Sequence, residues 1–464
     1  MRNVHEDAAV VRERPGRTPE EADADGHHHP RLTLNLLRRR GLLAGVAAAA
    51  GAAALPAATA PLSGAAFRPG LFRSFFLGGF ECSAHRRADG RRLDLLAATR
   101  HDALAEQDYR QLAGHGIRAA RDGVRWHLVE AGARGRYDWS SFLPMLRAAE
   151  AAGAQVAWDL CHYGWPDGLD VFSAAFADRL ARYAGAFARL HLEETGRPPI
   201  VCPVNEISFL AWAGGDMARM NPGARGRGDE LKRQLARAAI AATHAVREAA
   251  PGARVLAIDP VIHVVPRPGQ DPRPAAAYTE AQFQAWDMLA GRLEPGLGGG
   301  PGLLDVVGVN YYWDNQWEHG GGPISPFDPR ARPLRDLLAG VHARYGRPIL
   351  LAETSIEGER RADWLRHVGA EVRGAIRRGV PLEGACLYPV LSHPGWDDDR
   401  YCPNGLLEME ARDGRRMEHA PLAAELRRQQ HLLTAMLGEQ AGKDRAEEAD
   451  GPQPGSPRQP RVFD

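Results

Sequence analysis

Lysine is almost missing from this 464-residue chain: Lys232 and Lys443 are the only two among 58 basic residues, and arginine supplies the rest. Acidic residues also number 58, so the chain lacks the basic excess with which proteins grip nucleic acid or an anionic membrane. Cysteine is scarce. Cys82, Cys161, Cys202, Cys386 and Cys402 are scattered, odd in number and without a Cys-x-x-Cys pair, which indicates neither a zinc site nor a disulfide framework. No apolar run approaches the about 20 strongly apolar residues of a membrane span. No Gly-x-Gly-x-x-Gly follows the first strand pattern, which argues against a dinucleotide fold. What is present is an ordinary globular balance, 44% apolar and 25% charged, which excludes disorder for the bulk of the chain.

Residues 1–37 read as a disordered polar tail, and His27-His28-His29 within it has no second cluster to complete a metal site. The character then changes over 38–66. Arg38-Arg39-Arg40 precedes Gly41-Leu42-Leu43 and an Ala-rich run to Leu55, followed by Ala57-Ala58-Thr59-Ala60. A basic segment, a short apolar segment and small residues, in that order, describe an export signal of the twin-arginine type. Such a signal places the mature protein in the periplasm or outside the cell; an Ala-rich helix without a targeting role is the alternative. Residues 438–464 are charged and rich in proline and read as a second disordered tail.

Between them, over 67–437, short apolar runs alternate with helical patterns. The runs are Phe75–Phe80, Ile117–Arg121, Gln155–Leu160, Ile200–Val204, Val255–Ile258, Val306–Val309, Ile349–Ala352 and Gly384–Tyr388. Helix patterns follow at Asp102–Ala113, Ser141–Ala152, Ala174–Glu194, Glu230–Ala250, Ala276–Ala290, Pro333–Tyr345, Arg361–Arg378 and Pro421–Leu437. Strands that feed helices are parallel, because parallel neighbours need a crossover. Eight such units predict a single α/β domain, a closed (β/α)8 barrel, with the long connections 212–228, 261–274 and 310–332 gathered at one rim.

In a barrel of this kind the residues just past the strand ends meet at one mouth. The fourth strand ends in Asn205-Glu206 and the seventh in Glu353, so two carboxylates stand three strands apart round the ring. Cleavage of a glycosidic bond needs such a pair, one protonated to release the leaving oxygen and one ionised to attack or stabilise the anomeric carbon. Glu81 and Asp159 stand at or near other strand ends, as hydroxyl ligands or as partners for arginine. Trp158, Trp165, Trp313, Trp317 and Trp396 cluster in the same region, where aromatic faces suit sugar rings and also suit plain packing.

The pattern resembles glycoside hydrolase family 1, the β-glucosidase-like branch of the retaining glycosidases on (β/α)8 barrels, distantly and from about Phe75 to Leu407. Phe76-Leu77-Gly78-Gly79-Phe80 resembles the opening segment of that family. Arg121 and Trp126 match its second-strand spacing, and Cys161-His162-Tyr163-Gly164-Trp165-Pro166 its third strand. Gly308-Val309-Asn310-Tyr311-Tyr312 resembles its sixth-strand signature, and Tyr388 through Trp396 its eighth-strand segment. The resemblance implies Glu206 as acid/base and Glu353 as nucleophile, with Arg121 and Tyr312 beside the nucleophile. It implies His162, Asn205 and Trp396 as sugar contacts, no cofactor and no metal.

The departures fall on sugar recognition. The family's first-strand glutamine aligns with His85, its eighth-strand glutamate with Gly395 and the neighbouring tryptophan with Tyr388. The expectation is therefore a retaining hydrolase of β-linked glycosides whose terminal sugar is not assigned. A transglycosidase with the same two carboxylates and a carbohydrate-binding protein without turnover are the rivals. The expected partner is a carbohydrate or glycoside, with no nucleic acid and no stable membrane span.

Overall fold

The computed structural model describes residues 69–131, 135–412 and 415–450. Residues 1–37 and 38–66, with the histidine triplet and the arginine-led segment, lie outside the described residues, as do 451–464. All eight expected strands form: β1 Phe76–Gly79, β2 Ala119–Gly123, β3 Gln155–Asp159, β4 Ile200–Cys202, β5 Arg254–Pro260, β6 Val306–Asn310, β7 Ile349–Thr354 and β8 Leu382–Leu387. Each pairs in parallel with its sequence neighbours, and β1 closes onto β8. The result is a (β/α)8 barrel.

Around the strands lie helices α1 His101–Gly114, α2 Leu143–Ala152, α3 Ala174–Thr195, α4 Gly228–Ala249, α5 Arg273–Glu280, α6 Gln284–Leu289, α7 Leu334–Tyr345, α8 Arg361–Arg377 and α9 Ala420–Asp450. Two differ from expectation. The single helix expected over 276–290 is two, parted by a tight turn at Ala281–Phe283. There the Gln282 side chain accepts from Ile262 N–H at 2.9 Å and donates to Thr279 O at 2.6 Å, tying the turn to a rim loop. Secondly, α9 runs on to Asp450 instead of giving way to a tail at Gly438. The stretch 439–450 is mostly Glu, Ala, Lys and Arg with no proline, a composition of good helix formers. No helix among the described residues is long and apolar enough to cross a membrane.

Side-chain alternation divides the core into two layers. Leu77, Ala119, Ala157, Ile200, Leu256, Val306, Leu350 and Cys386 pack inside the barrel. Their strand neighbours Phe76, Ala120, Val156, Val201, Val255, Val307, Leu351 and Leu387 pack outward against the helices. The same parity sends Arg121 inward and Asp122 outward, where Asp122 meets His101 and Tyr109 of α1. At the rim of β7 the parity breaks. Val309 pairs with Leu351 but Asn310 with Glu353, so one extra residue is inserted and the side chains beyond it swap faces. Glu353 thereby points into the mouth, and Thr354 turns outward to accept from the Trp364 indole at 2.8 Å.

Candidate active site

The mouth is a cavity of 710 Å³, within the range of small-molecule sites. Glu81, His162, Tyr163, Glu206, Tyr312, Glu353 and Trp396 line it, and residues of the long rim connections, among them Trp212, Asp216, Trp313 and Trp317, continue its wall.

Glu353 is buried, with the Arg121 guanidinium on Oε1 at 2.9 Å and the Tyr312 hydroxyl donating to Oε2 at 2.8 Å. Burial raises its pKa, and the opposite charge of Arg121 and the nearby His162 pull back towards the anion. Glu206 is buried, and among the described residues no Arg, Lys or His pairs with it. Its Oε1 accepts from the Asn310 amide at 2.8 Å and its Oε2 from the Tyr163 hydroxyl. Burial, and then the charge of Glu353, push the Glu206 carboxyl up to about 8, against the smaller opposing effect of those two donors. The rise at Glu206 is opposed only by neutral donors, whereas at Glu353 the charges of Arg121 and His162 oppose it.

That arrangement carries backbone strain. Glu206 has φ 45° and Tyr163 φ 63°, left-handed values that cost a residue with a Cβ on the order of 1–2 kcal/mol. Tyr163 is fixed from behind, since its carbonyl accepts from the Asn221 amide at 3.0 Å. Such conformations persist where the surroundings over-determine them, commonly at working sites.

Arg121 is fully buried and off the cavity wall. Besides Glu353 it donates to Ala352 O at 2.9 Å, to Asp159 Oδ2 at 2.6 Å and to Asn205 Oδ1 at 3.1 Å, and it lies 4.8 Å from the Tyr388 ring centre. Of these partners, Glu353 is the one that lines the cavity. Asn205 is likewise enclosed: its amide nitrogen meets His162 Nε2 at 3.2 Å and the Tyr163 hydroxyl at 3.3 Å. Neither residue lines the cavity; Arg121 bonds to Glu353, and Asn205 to His162 and Tyr163, which do. His162 does line it, with Nδ1 on Asp159 Oδ2 at 2.9 Å. Trp396 forms one side of the wall.

His85, expected as a sugar ligand, is corrected by its position. It is 1% exposed and off the cavity wall, packed edge-on behind Trp396 with ring centres 5.2 Å apart. β1 ends at Gly79; Glu81, two residues past the strand, lines the cavity, whereas His85, six residues past it, does not. Trp158 and Trp165 are buried packing residues, whereas Trp313 and Trp317 line the outer cavity. Tyr163 and Asn310, the two donors on Glu206, were not singled out as site residues by the sequence. Asn310 could have been found as the last inward residue of its strand.

Cys82, Asp159 and His162 bring possible metal-ligand atoms within 4.8 Å of one another. Those atoms already contact each other, and Asp159 Oδ2 is taken by Arg121 at 2.6 Å. Burial also pushes the Cys82 thiol well above its ordinary pKa, against the thiolate a metal requires. The donor set fits a hydrogen-bonded support for His162, not a cation site.

No family model matches the chain, and no curated protein matches its sequence. Solved structures do match its fold. The β-glucosidase from Thermotoga maritima in complex with glucoimidazole superposes with a TM-score of 0.62 at 15% identity, over 79% of this chain and 99% of that one. The same enzyme with deoxynojirimycin gives 0.61 at 15% over 77% and 99%, and with castanospermine 0.60 at 18% over 77% and 97%. One structure of that source is described as a family 1 β-glucosidase. At these identities the likeness is one of fold, and it falls on the group that the sequence motifs resemble.

Proposed function

We propose that this chain is a retaining glycoside hydrolase acting on β-linked glycosides, with Glu206 as acid/base and Glu353 as nucleophile. The observation that carries the reading is the opposed setting of two carboxylates on one cavity: Glu206 buried with no Arg, Lys or His partner among the described residues, Glu353 clamped by Arg121 and Tyr312. Glu206 gives its proton to the glycosidic oxygen as the bond from that oxygen to the anomeric carbon breaks, and an alcohol leaves. A Glu353 oxygen takes up the anomeric carbon as an ester. Water then attacks that carbon, Glu206 accepts the proton of the water, and Glu353 is released as carboxylate. The reaction so written uses no metal and no organic cofactor.

Product stereochemistry tests this directly. Proton NMR of the first-formed sugar from a β-aryl glycoside shows the β-anomer if the reading holds; a first-formed α-anomer means inversion and overturns it. The aromatic outer wall, with Trp212, Trp313 and Trp317, offers room for an acceptor, which favours a transglycosidase as the second reading. Product analysis with a competing sugar acceptor separates the two. The Arg38-Arg39-Arg40 segment supports an exported enzyme, and activity confined to the cytoplasmic fraction of the source cells would contradict that.

A further inference from the structure

Glu81 is a carboxylate on the cavity wall with no Arg or Lys partner among the described residues. It lies two residues beyond β1, is 7% exposed, and its Oε1 accepts from Ser83 N–H at 2.9 Å. Its closest basic group is the His162 ring, Nε2 to Oε1 3.7 Å, and no Arg or Lys pairs with it among the described residues. Asp159, the other acid that the sequence left open, went the opposite way and is held by Arg121 at 2.6 Å. Arg121 is thus already shared between Asp159 and Glu353 before Glu81 is counted. His162 is shared too, between Asp159, Asn205 and Glu81. The inner cavity therefore holds an excess of negative charge with a free acceptor facing the ligand.

We infer that Glu81 selects the terminal sugar, its carboxylate accepting hydrogen bonds from donors on the ring, so that neutral or amino sugars enter and acidic sugars are refused. The inference rests on the glycosidase reading for its substrate class. Physically, a carboxylate strengthens hydrogen bonds from hydroxyl or ammonium donors and repels a second carboxylate in a poorly hydrated site. Glu81 forms no hydrogen bond with either catalytic carboxylate, and its charge raises the Glu353 pKa by less than burial does, so its larger effect is expected on binding.

The test uses the full chain and its Glu81→Gln variant, an isostere without the charge. Binding of glucose, glucosamine and glucuronate, and of the galacto counterparts, is read by tryptophan fluorescence; turnover is read on the six matching β-aryl glycosides. The expected result is that the acid sugar binds at least about 10-fold more weakly than the amino sugar, and that Glu81→Gln narrows the gap by a similar factor through the loss of repulsion. Turnover differences should appear in KM more than in kcat. Preference for the neutral over the amino sugar identifies hydroxyl donors, and the reverse identifies an ammonium; either supports the inference if the variant weakens it. An unchanged ranking in Glu81→Gln, or glucuronate bound as tightly as glucosamine, overturns it. Ranked binding that depends on Glu81 with no turnover of any glycoside removes the hydrolase reading and leaves the role of Glu81 standing. No binding of any of the six sugars removes both.

Discussion

The chemistry turns on the environment of two carboxyl groups. Tyr163 and Asn310 donate to Glu206, and donors to a carboxylate favour its charged form. Tyr163→Phe removes one of them, so the pKa of the acid rises further. The basic limb of kcat/KM against pH, expected near 8 in the parent, moves up, while the rate falls by roughly 10-fold as the acid loses its orientation. An unmoved limb would show that Tyr163 only packs. A second consequence concerns stability. The Glu206 carboxyl is raised from 4.5 to about 8 on folding, so its protonated form contributes fully below 4.5 and that contribution is lost as pH rises through 8. Glu206→Gln stays neutral throughout, and its gain in Tm over the parent should be larger at pH 9 than at pH 5, by a few degrees in order of magnitude. Differential scanning calorimetry at the two pH values checks this. At this scale the sequence displayed Glu206 and Glu353 through their places at strand ends, and Arg121 and Tyr312 through the family resemblance. It hid Tyr163, because nothing in Cys161-His162-Tyr163-Gly164 announces a left-handed backbone at a tyrosine. It also placed a sugar contact at His85, which lies off the cavity wall, whereas Glu81, two residues past β1, lines it.

Single strands and helices position these groups, and two devices can be tested. At the end of β1, a Cβ on Gly79 would lie 2.0 Å from the Tyr388 ring, the ring that packs beside the Arg121 guanidinium. Gly79→Ala must push Tyr388 aside and disturb Arg121, so activity should fall by about 10-fold or more with a smaller effect on Tm, since misplacing a clamp costs rate steeply. Kinetics and thermal melts on the same preparation separate the two effects. Behind β2, His101 bridges Asp108 at 2.8 Å and Asp122 at 2.9 Å, and Arg416 reaches Asp108 at 2.9 Å from the opposite side. Burial would lower the His101 pKa, but Asp122 and Asp108 override it and raise it to about 9. Its charge therefore stabilises the fold below 6.5 and the contribution is lost as pH rises through 9. His101→Ala strands buried carboxylates and should cost about 3–5 kcal/mol at pH 7 by denaturant titration, with the difference from the parent shrinking by pH 10. Strand existence was readable from apolar runs, whereas the inserted residue in β7 was not. It arises from pairing with β6 and β8, a contact between distant segments that no local pattern records.

For the whole molecule, alternation of eight short apolar runs with helical patterns was enough to specify the barrel, because a parallel strand needs a helix to return along and eight such units close. The mouth followed from the same rule. Trp313 and Trp317 were placed near the mouth by the sequence, but Trp212 was not singled out, since it comes from a loop whose path follows no repeating pattern. The proposed mechanism requires Glu353 to become covalently joined to the sugar. The measurement that addresses it most directly is incubation with 2-deoxy-2-fluoro-β-glycosyl aryl substrates of gluco and galacto configuration, followed by mass spectrometry of the digested protein. The account predicts one added glycosyl mass on the peptide containing Glu353, and none in Glu353→Gln. An adduct on another residue, or full turnover by Glu353→Gln, would contradict it.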